Sequence, residues 1–100
     1  MAVRHVVVFR WNADVTPEDV AAIDAALDAL PGRIPSLRGY HHGPDLGLGE
    51  GRWHYGIVAE CDDVDGWRAY EQHPAHLQVV TEVLRPRIAE RAAVQIGPPH

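Results

Sequence analysis

From Val3 to Trp11 the chain alternates with a period of two. Val3, His5, Val7, Phe9 and Trp11 fall on one side, and Arg4, Val6, Val8 and Arg10 on the other. The run is rich in Val and aromatic residues and holds no helix breaker, which predicts a strand. Both sides are apolar in mid-strand, whereas a sheet with one wet face shows a cleaner alternation. The period then lengthens. Val20, Ile23, Leu27 and Leu30 form one helical stripe. Thr16 fits an N-cap, Pro17 the first helical position, and Glu18 and Asp19 the positive end of the helix dipole. Pro31-Gly32 closes this helix near Leu30. Leu37 to His42 reads as a second strand broken by Gly43-Pro44, and Trp53 to Glu60 as a third, with Ile57, Val58 and Ala59 again apolar on both sides. Asp62 or Asp63 can cap a short helix through Tyr70. Pro74 can open another, carrying Leu77, Val80, Val83 and Leu84, which Pro86 interrupts or ends. Ala92 to Ile96 is the last strand, and residues 97–100 are a tail.

The order β-α-β-β-α-β predicts an α+β, ferredoxin-like fold: one four-stranded antiparallel sheet with helices on one face, in a single domain over residues 1–100. The other sheet face, with Val6 and Val8, needs a cover. A second copy of the same face supplies one and makes a homodimer through the sheet face.

Composition narrows the function classes. The 100-residue chain carries a net charge of −5, which lacks the basic footprint of a nucleic-acid binder. Its nine basic residues are all arginine, which excludes lysine Schiff-base chemistry. Cys61 is the sole cysteine, so neither an intrachain disulfide nor a thiolate metal cage can form. Asp62 and Asp63 beside it oppose a thiolate. No run approaches the ~20 apolar residues of a membrane span. Val6–Phe9, followed by Arg10, is too short for a signal segment. A cytoplasmic protein without membrane contact is expected. The loop Asp45-Leu46-Gly47-Leu48-Gly49-Glu50-Gly51 is followed by neither Gly-Lys-Ser/Thr nor a helix start, so it is not a phosphate loop.

Groups able to move protons concentrate in Tyr70-Glu71-Gln72-His73-Pro74-Ala75-His76 and in His5, which interrupts the apolar side of the first strand. His5 is either a satisfied core histidine or a base or donor in a pocket between sheet and helices. Pro74 makes the segment helix–turn–helix and sets His73 just before a helix N-terminus, a place that disfavours imidazolium. There it acts as a cap and hinge or as a ligand contact. His76 lies one turn into the new helix. His54 and Tyr55 alternate, so one of them faces the helices. Trp53 and Trp67 pack the core or a dimer contact, or line an apolar cavity. Arg4 and Arg10 belong to a solvated rim or an intersubunit ion pair. His41 and His42 are adjacent on a strand and point to opposite faces, and no His-Glu-x-x-His spacing exists, so no metal and no cofactor are expected.

These residues carry a family resemblance. His5-Val6-Val7-Val8-Phe9-Arg10-Trp11, Leu30-Pro31 with Ile34-Pro35, Gly43-Pro44-Asp45 and the Tyr70–His76 motif resemble the stress-responsive dimeric α/β-barrel (Dabb) family over nearly the full chain. The resemblance implies a ferredoxin-like monomer and a homodimer whose sheets form a barrel. It implies a stress-response-type protein binding a small apolar or carbonyl-containing molecule between sheet and helices. Some members are cofactor-free polyketide cyclases that close rings by aldol chemistry. Their roles would fall on His5 and His76 as acid/base groups and on Tyr70 as an orienting or oxyanion-stabilising hydroxyl, with Tyr55 or His54 near a further polar position. Apart from those roles, Tyr55, Trp67 and His73 are the candidate ligand contacts. Gln95 departs from the pattern, since an acid is common there. Cofactor-independent monooxygenases share the architecture, by analogy of fold alone. Convergence of His5, Tyr70 and His76 on a cavity of about 300 Å3 or more would mark a ligand site.

Overall fold

A computed structural model describes residues 1–98; the last two tail residues, Pro99 and His100, lie outside the described residues. Four strands, β1 (Val3–Trp11), β2 (Leu37–Pro44), β3 (Tyr55–Cys61) and β4 (Ile88–Ile96), form one antiparallel sheet in the order β2-β3-β1-β4. Three helices accompany it: α1 (Pro17–Asp28), α2 (Val64–Gln72) and α3 (Pro74–Val79). A π-helical turn, Val80–Leu84, and a 3-10 turn, Arg85–Arg87, lead from α3 into β4. The fold is ferredoxin-like, as the alternation of periods predicts.

The local rules act where expected. Thr16 and Asp19 form a reciprocal capping box at the start of α1, with Pro17 just inside it. The break between α2 and α3 follows from Pro74, which has no N–H and whose ring would clash with a continuing helix. His73 before it is driven to an extended backbone, φ −64° and ψ 135°. β2 runs on through Gly43 and ends at Pro44, which still pairs with Tyr55; an edge strand tolerates a proline because its outer side needs no N–H. The last strand begins at Ile88, four residues before the expected Ala92. Ile88, Glu90 and Arg91 pair with Trp11, Arg10 and Phe9, so polar residues without strand periodicity are held extended by β1.

One face of the sheet, with Val7, Phe9, Tyr55 and Ile57, packs under the helices. Ile23, Leu27, Leu30 and Ile34 close the core above it with almost no exposure. On the other face Val6, Val8 and Val58 are half-buried, and Val94 and Ile96 remain about half exposed, at 53% and 51%. Arg4 and Arg10 make cross-strand pairs within the chain, with Glu60 at 3.1 Å and Glu90 at 2.9 Å, so no intersubunit ion pair is needed to explain them. No helix of the described residues is long and apolar enough to cross a membrane.

Candidate functional site

Between the sheet and the helical layer lies a cavity of about 340 Å3. Its walls are aliphatic and aromatic, from Val7, Phe9 and Ile57 on the strands and Leu27, Val79 and Leu84 opposite. Into this apolar space project His5 from β1, Tyr40 from β2, Tyr70 and Glu71 from the end of α2, and His76 from α3. The period-two rule sets His5 and Tyr40 on the helix side of their strands. The break at Pro74 sets His76 beside Tyr70, with ring centroids 4.4 Å apart.

The hydrogen bonds define the protons. His76 Nδ1 lies 3.0 Å from the Glu71 backbone carbonyl, which can only accept. Nδ1 therefore donates, so a lone pair for accepting a proton can lie only at Nε2. His5 is the reverse. The Gln95 side-chain amide nitrogen, 2.8 Å away, donates to His5 Nδ1. The His5 proton then sits on Nε2, which faces the Glu71 carboxylate at 3.7 Å. The other Glu71 oxygen lies 3.9 Å from His76 Nδ1, so one carboxylate stands between the two imidazoles. Burial pulls the His5 pKa below the ordinary 6.5; the Glu71 charge opposes that shift, and Arg91 and His76 add to it.

Both cavity phenols are kept protonated. Burial pushes Tyr40 up to about 12, tempered by the Tyr70 hydroxyl. Tyr70 is driven further above the phenol range by burial and by Tyr40. The two rings meet edge-on at 6.3 Å, and no partner in good hydrogen-bonding geometry satisfies the buried Tyr40 oxygen. The site thus presents neutral donors, one lone pair on His76 and one carboxylate. That set suits a neutral polar group such as a carbonyl oxygen.

His5, Tyr70 and His76 meet at this cavity; Tyr55, Trp67 and His73 are not among the residues that line it. Tyr55 does face the helices, but its hydroxyl is taken up by Asp24 on α1 and by His42 at 2.7 Å. Trp67 packs against the outer side of His5, ring centroids 6.0 Å apart. His73 accepts from the Ala75 N–H at 3.0 Å and so caps α3. His54 lies outside β3 and accepts from the Trp11 N–H at 2.9 Å. Tyr40, Glu71, Arg85 and Arg91 line the cavity without having been singled out from the sequence. The parity of the second strand could have flagged Tyr40, which alternates with His41. Gln95, noted only as a departure, is the cross-strand partner of His5. Among the described residues, no group of three or more His, Cys, Asp and Glu side chains could hold a metal ion.

Comparison with known proteins gives the family and the fold. The family described as Stress responsive A/B Barrel Domain (Dabb) matches residues 3–96. A dimeric ferredoxin-like protein of unknown function from Thermobifida fusca is 43% identical, over 98% of this chain and 92% of that one, with a TM-score of 0.91. At 18% identity, where likeness shows the fold alone, stand two enzymes. One is a hydroxynitrile lyase from Passiflora edulis, with a TM-score of 0.84 over 95% of this chain and 91% of its own. The other is a cofactor-independent oxygenase from Streptomyces nogalater, with a TM-score of 0.77 over 99% and 94%. No functionally curated protein matches the sequence significantly. With the family matched from the first strand to the last, the chain belongs to the stress responsive A/B barrel domain family.

Proposed function

We propose that this protein binds a small apolar, carbonyl-containing molecule in the cavity between sheet and helices, and does so as a homodimer. The observation that carries the reading is the convergence of His5, Tyr40, Tyr70 and His76 on one largely apolar space of about 340 Å3. That volume sits at the small end of ligand pockets. The carbonyl oxygen accepts from the Tyr70 and Tyr40 hydroxyls, and the aliphatic walls take the remainder. Native mass spectrometry of the purified protein tests this. A co-purified or added methyl ketone should be retained by the wild type and released by Tyr40→Phe/Tyr70→Phe. Retention by the double variant would refute the proposed anchor.

The dimer forms through the sheet face of Val6, Val8, Val58, Val94 and Ile96. Isolated apolar patches of this kind on small domains are commonly covered by a second copy. The Thermobifida relative is described as dimeric, which supports the reading. Val8→Asp sets a charge in that contact and should give monomers in light scattering. An unaltered dimer would remove the sheet-to-sheet interface.

A second reading is favoured by the protonation pattern. His76, with Nε2 free, is set to take a proton from the carbon next to a carbonyl, while Tyr70 donates to the developing oxyanion. The enolate then attacks a second carbonyl of the same molecule, and the proton returns from His76 to the new alkoxide. This is cofactor-free aldol ring closure of the polyketide-cyclase kind. Linear polyketide thioesters should give cyclised product above the spontaneous background. Their failure to do so leaves binding alone.

A further inference from the structure

Two of the cavity's lining residues play no part in the carbonyl end. Arg85, from the 3-10 turn, and Arg91, from β4, both line the cavity and both are exposed. Six of the nine arginines pair with a carboxylate: Arg4, Arg10, Arg38, Arg52, Arg68 and Arg87. Among the described residues the other three, Arg33, Arg85 and Arg91, have no such partner and no side-chain hydrogen bond, and of these only Arg85 and Arg91 line the cavity. Arg91 is the direct cross-strand neighbour of Phe9, and opposed residues share a face, so it stands on the cavity side of the sheet. Its charge reaches inward far enough to disfavour protonation of His5. Leu77, half exposed, and Ile88 complete this rim with apolar surface.

Resting on the pocket reading above, we propose that the ligand is amphipathic: an apolar carbonyl compound whose far end carries a carboxylate, held at the cavity mouth by Arg85 and Arg91. Two guanidinium groups from different elements match a carboxylate with charge-assisted hydrogen bonds. The net charge of −5 makes the molecule as a whole unattractive to anions, so the attraction is local to this rim. The inner donors are neutral and the outer ones cationic, which orients the ligand with its carbonyl inward. At about 340 Å3 the cavity sits at the small end of ligand pockets, which suits a single aliphatic chain with one carbonyl.

The test is calorimetric binding of 9-oxodecanoate and of its methyl ester, which differ in the charge of one end. The acid should bind wild type about tenfold or more tightly than the ester, with a preference that shrinks as salt is raised. In R85Q/R91Q, checked for fold by circular dichroism, the ratio should fall to about one. Equal binding of acid and ester to wild type overturns the proposal while leaving the pocket reading intact. So does a preference that survives in R85Q/R91Q. If neither compound binds, the pocket reading falls and this inference with it.

Discussion

Two clusters of histidine, tyrosine and carboxylate stand on the same side of the sheet, and only one of them surrounds a space. At the α1 end, His42 has both ring nitrogens engaged, by the Tyr55 hydroxyl at 2.7 Å and by Asp28 at 2.7 Å, and Asp24 takes the Tyr55 hydroxyl as well. Both imidazole nitrogens and the phenol are spent inside the cluster. At the α2–α3 end, among the described residues, His76 Nε2 has no partner, the Tyr40 oxygen has none in good geometry, and aliphatic walls border the space the groups face. The residue types are nearly the same. What separates a brace from a candidate site is unspent hydrogen-bonding capacity facing a void.

The contrast can be broken by mutation. The largest effect is expected at His76 under the cyclase reading: His76→Ala should lower turnover of a linear polyketide thioester about 10²–10⁴-fold while the protein stays folded. If this variant instead melts with no ligand present, His76 is a structural residue and the open cluster loses its base. Next comes Tyr55→Phe in the closed cluster. It strips His42 and Asp24 of a shared partner and should cost about 1–3 kcal/mol in urea denaturation, with ligand affinity unchanged. A loss of affinity comparable to that of cavity variants would show that the closed cluster reaches the ligand after all.

Tyr40→Phe is the same chemical change in the open cluster, and it should have the opposite profile. Among the described residues the hydroxyl meets only that of Tyr70, and out of good geometry, so stability should change little. Affinity for a carbonyl ligand should drop about 2–10-fold, the worth of one neutral hydrogen bond. Parallel melting curves and titrations of the two Tyr→Phe variants decide the matter; matching profiles would erase the distinction.

The smallest effect concerns pH. Burial holds the His5 pKa below 6.5 in the fold. As pH falls through about 6.5, the unfolded chain takes up this proton and the native state does not. The unfolded state then binds more protons, so stability declines with falling pH below about 6.5 until the folded pKa is reached. Above 6.5 both forms are neutral and His5 adds no pH dependence. His5→Gln should flatten the stability profile between pH 5 and 7 relative to wild type. An unchanged slope would mean that His5 charges as readily in the fold as in the unfolded chain.

Much of this architecture is legible in the sequence, because strand and helix periods, caps and proline breaks act over a few residues. The sides of β1, the capping box at Thr16 and the split at Pro74 all follow from neighbours along the chain. The boundaries that slipped were tertiary: Pro44 survives in β2 because that strand is an edge, and Ile88–Arg91 are extended because β1 holds them. The same limit applies to the site. Tyr55 and Tyr40 are equally plausible on residue type and parity, and both face the helices from their strands. Only packing against Asp24 and His42 closes the one and leaves the other beside a cavity.

By itself, then, the sequence determined which residues of β1 share a side, where the chain bends, and the family to which the motifs at His5 and Tyr70–His76 belong. The tertiary structure alone decided that Gln95 meets His5 across 90 residues of chain, that Glu71 stands between two imidazoles, and that Arg85 and Arg91 line the same cavity. The physical reason is range. Backbone periodicity is set by local sterics and hydrogen bonds, whereas a cavity is the volume that all the packed elements together leave unfilled.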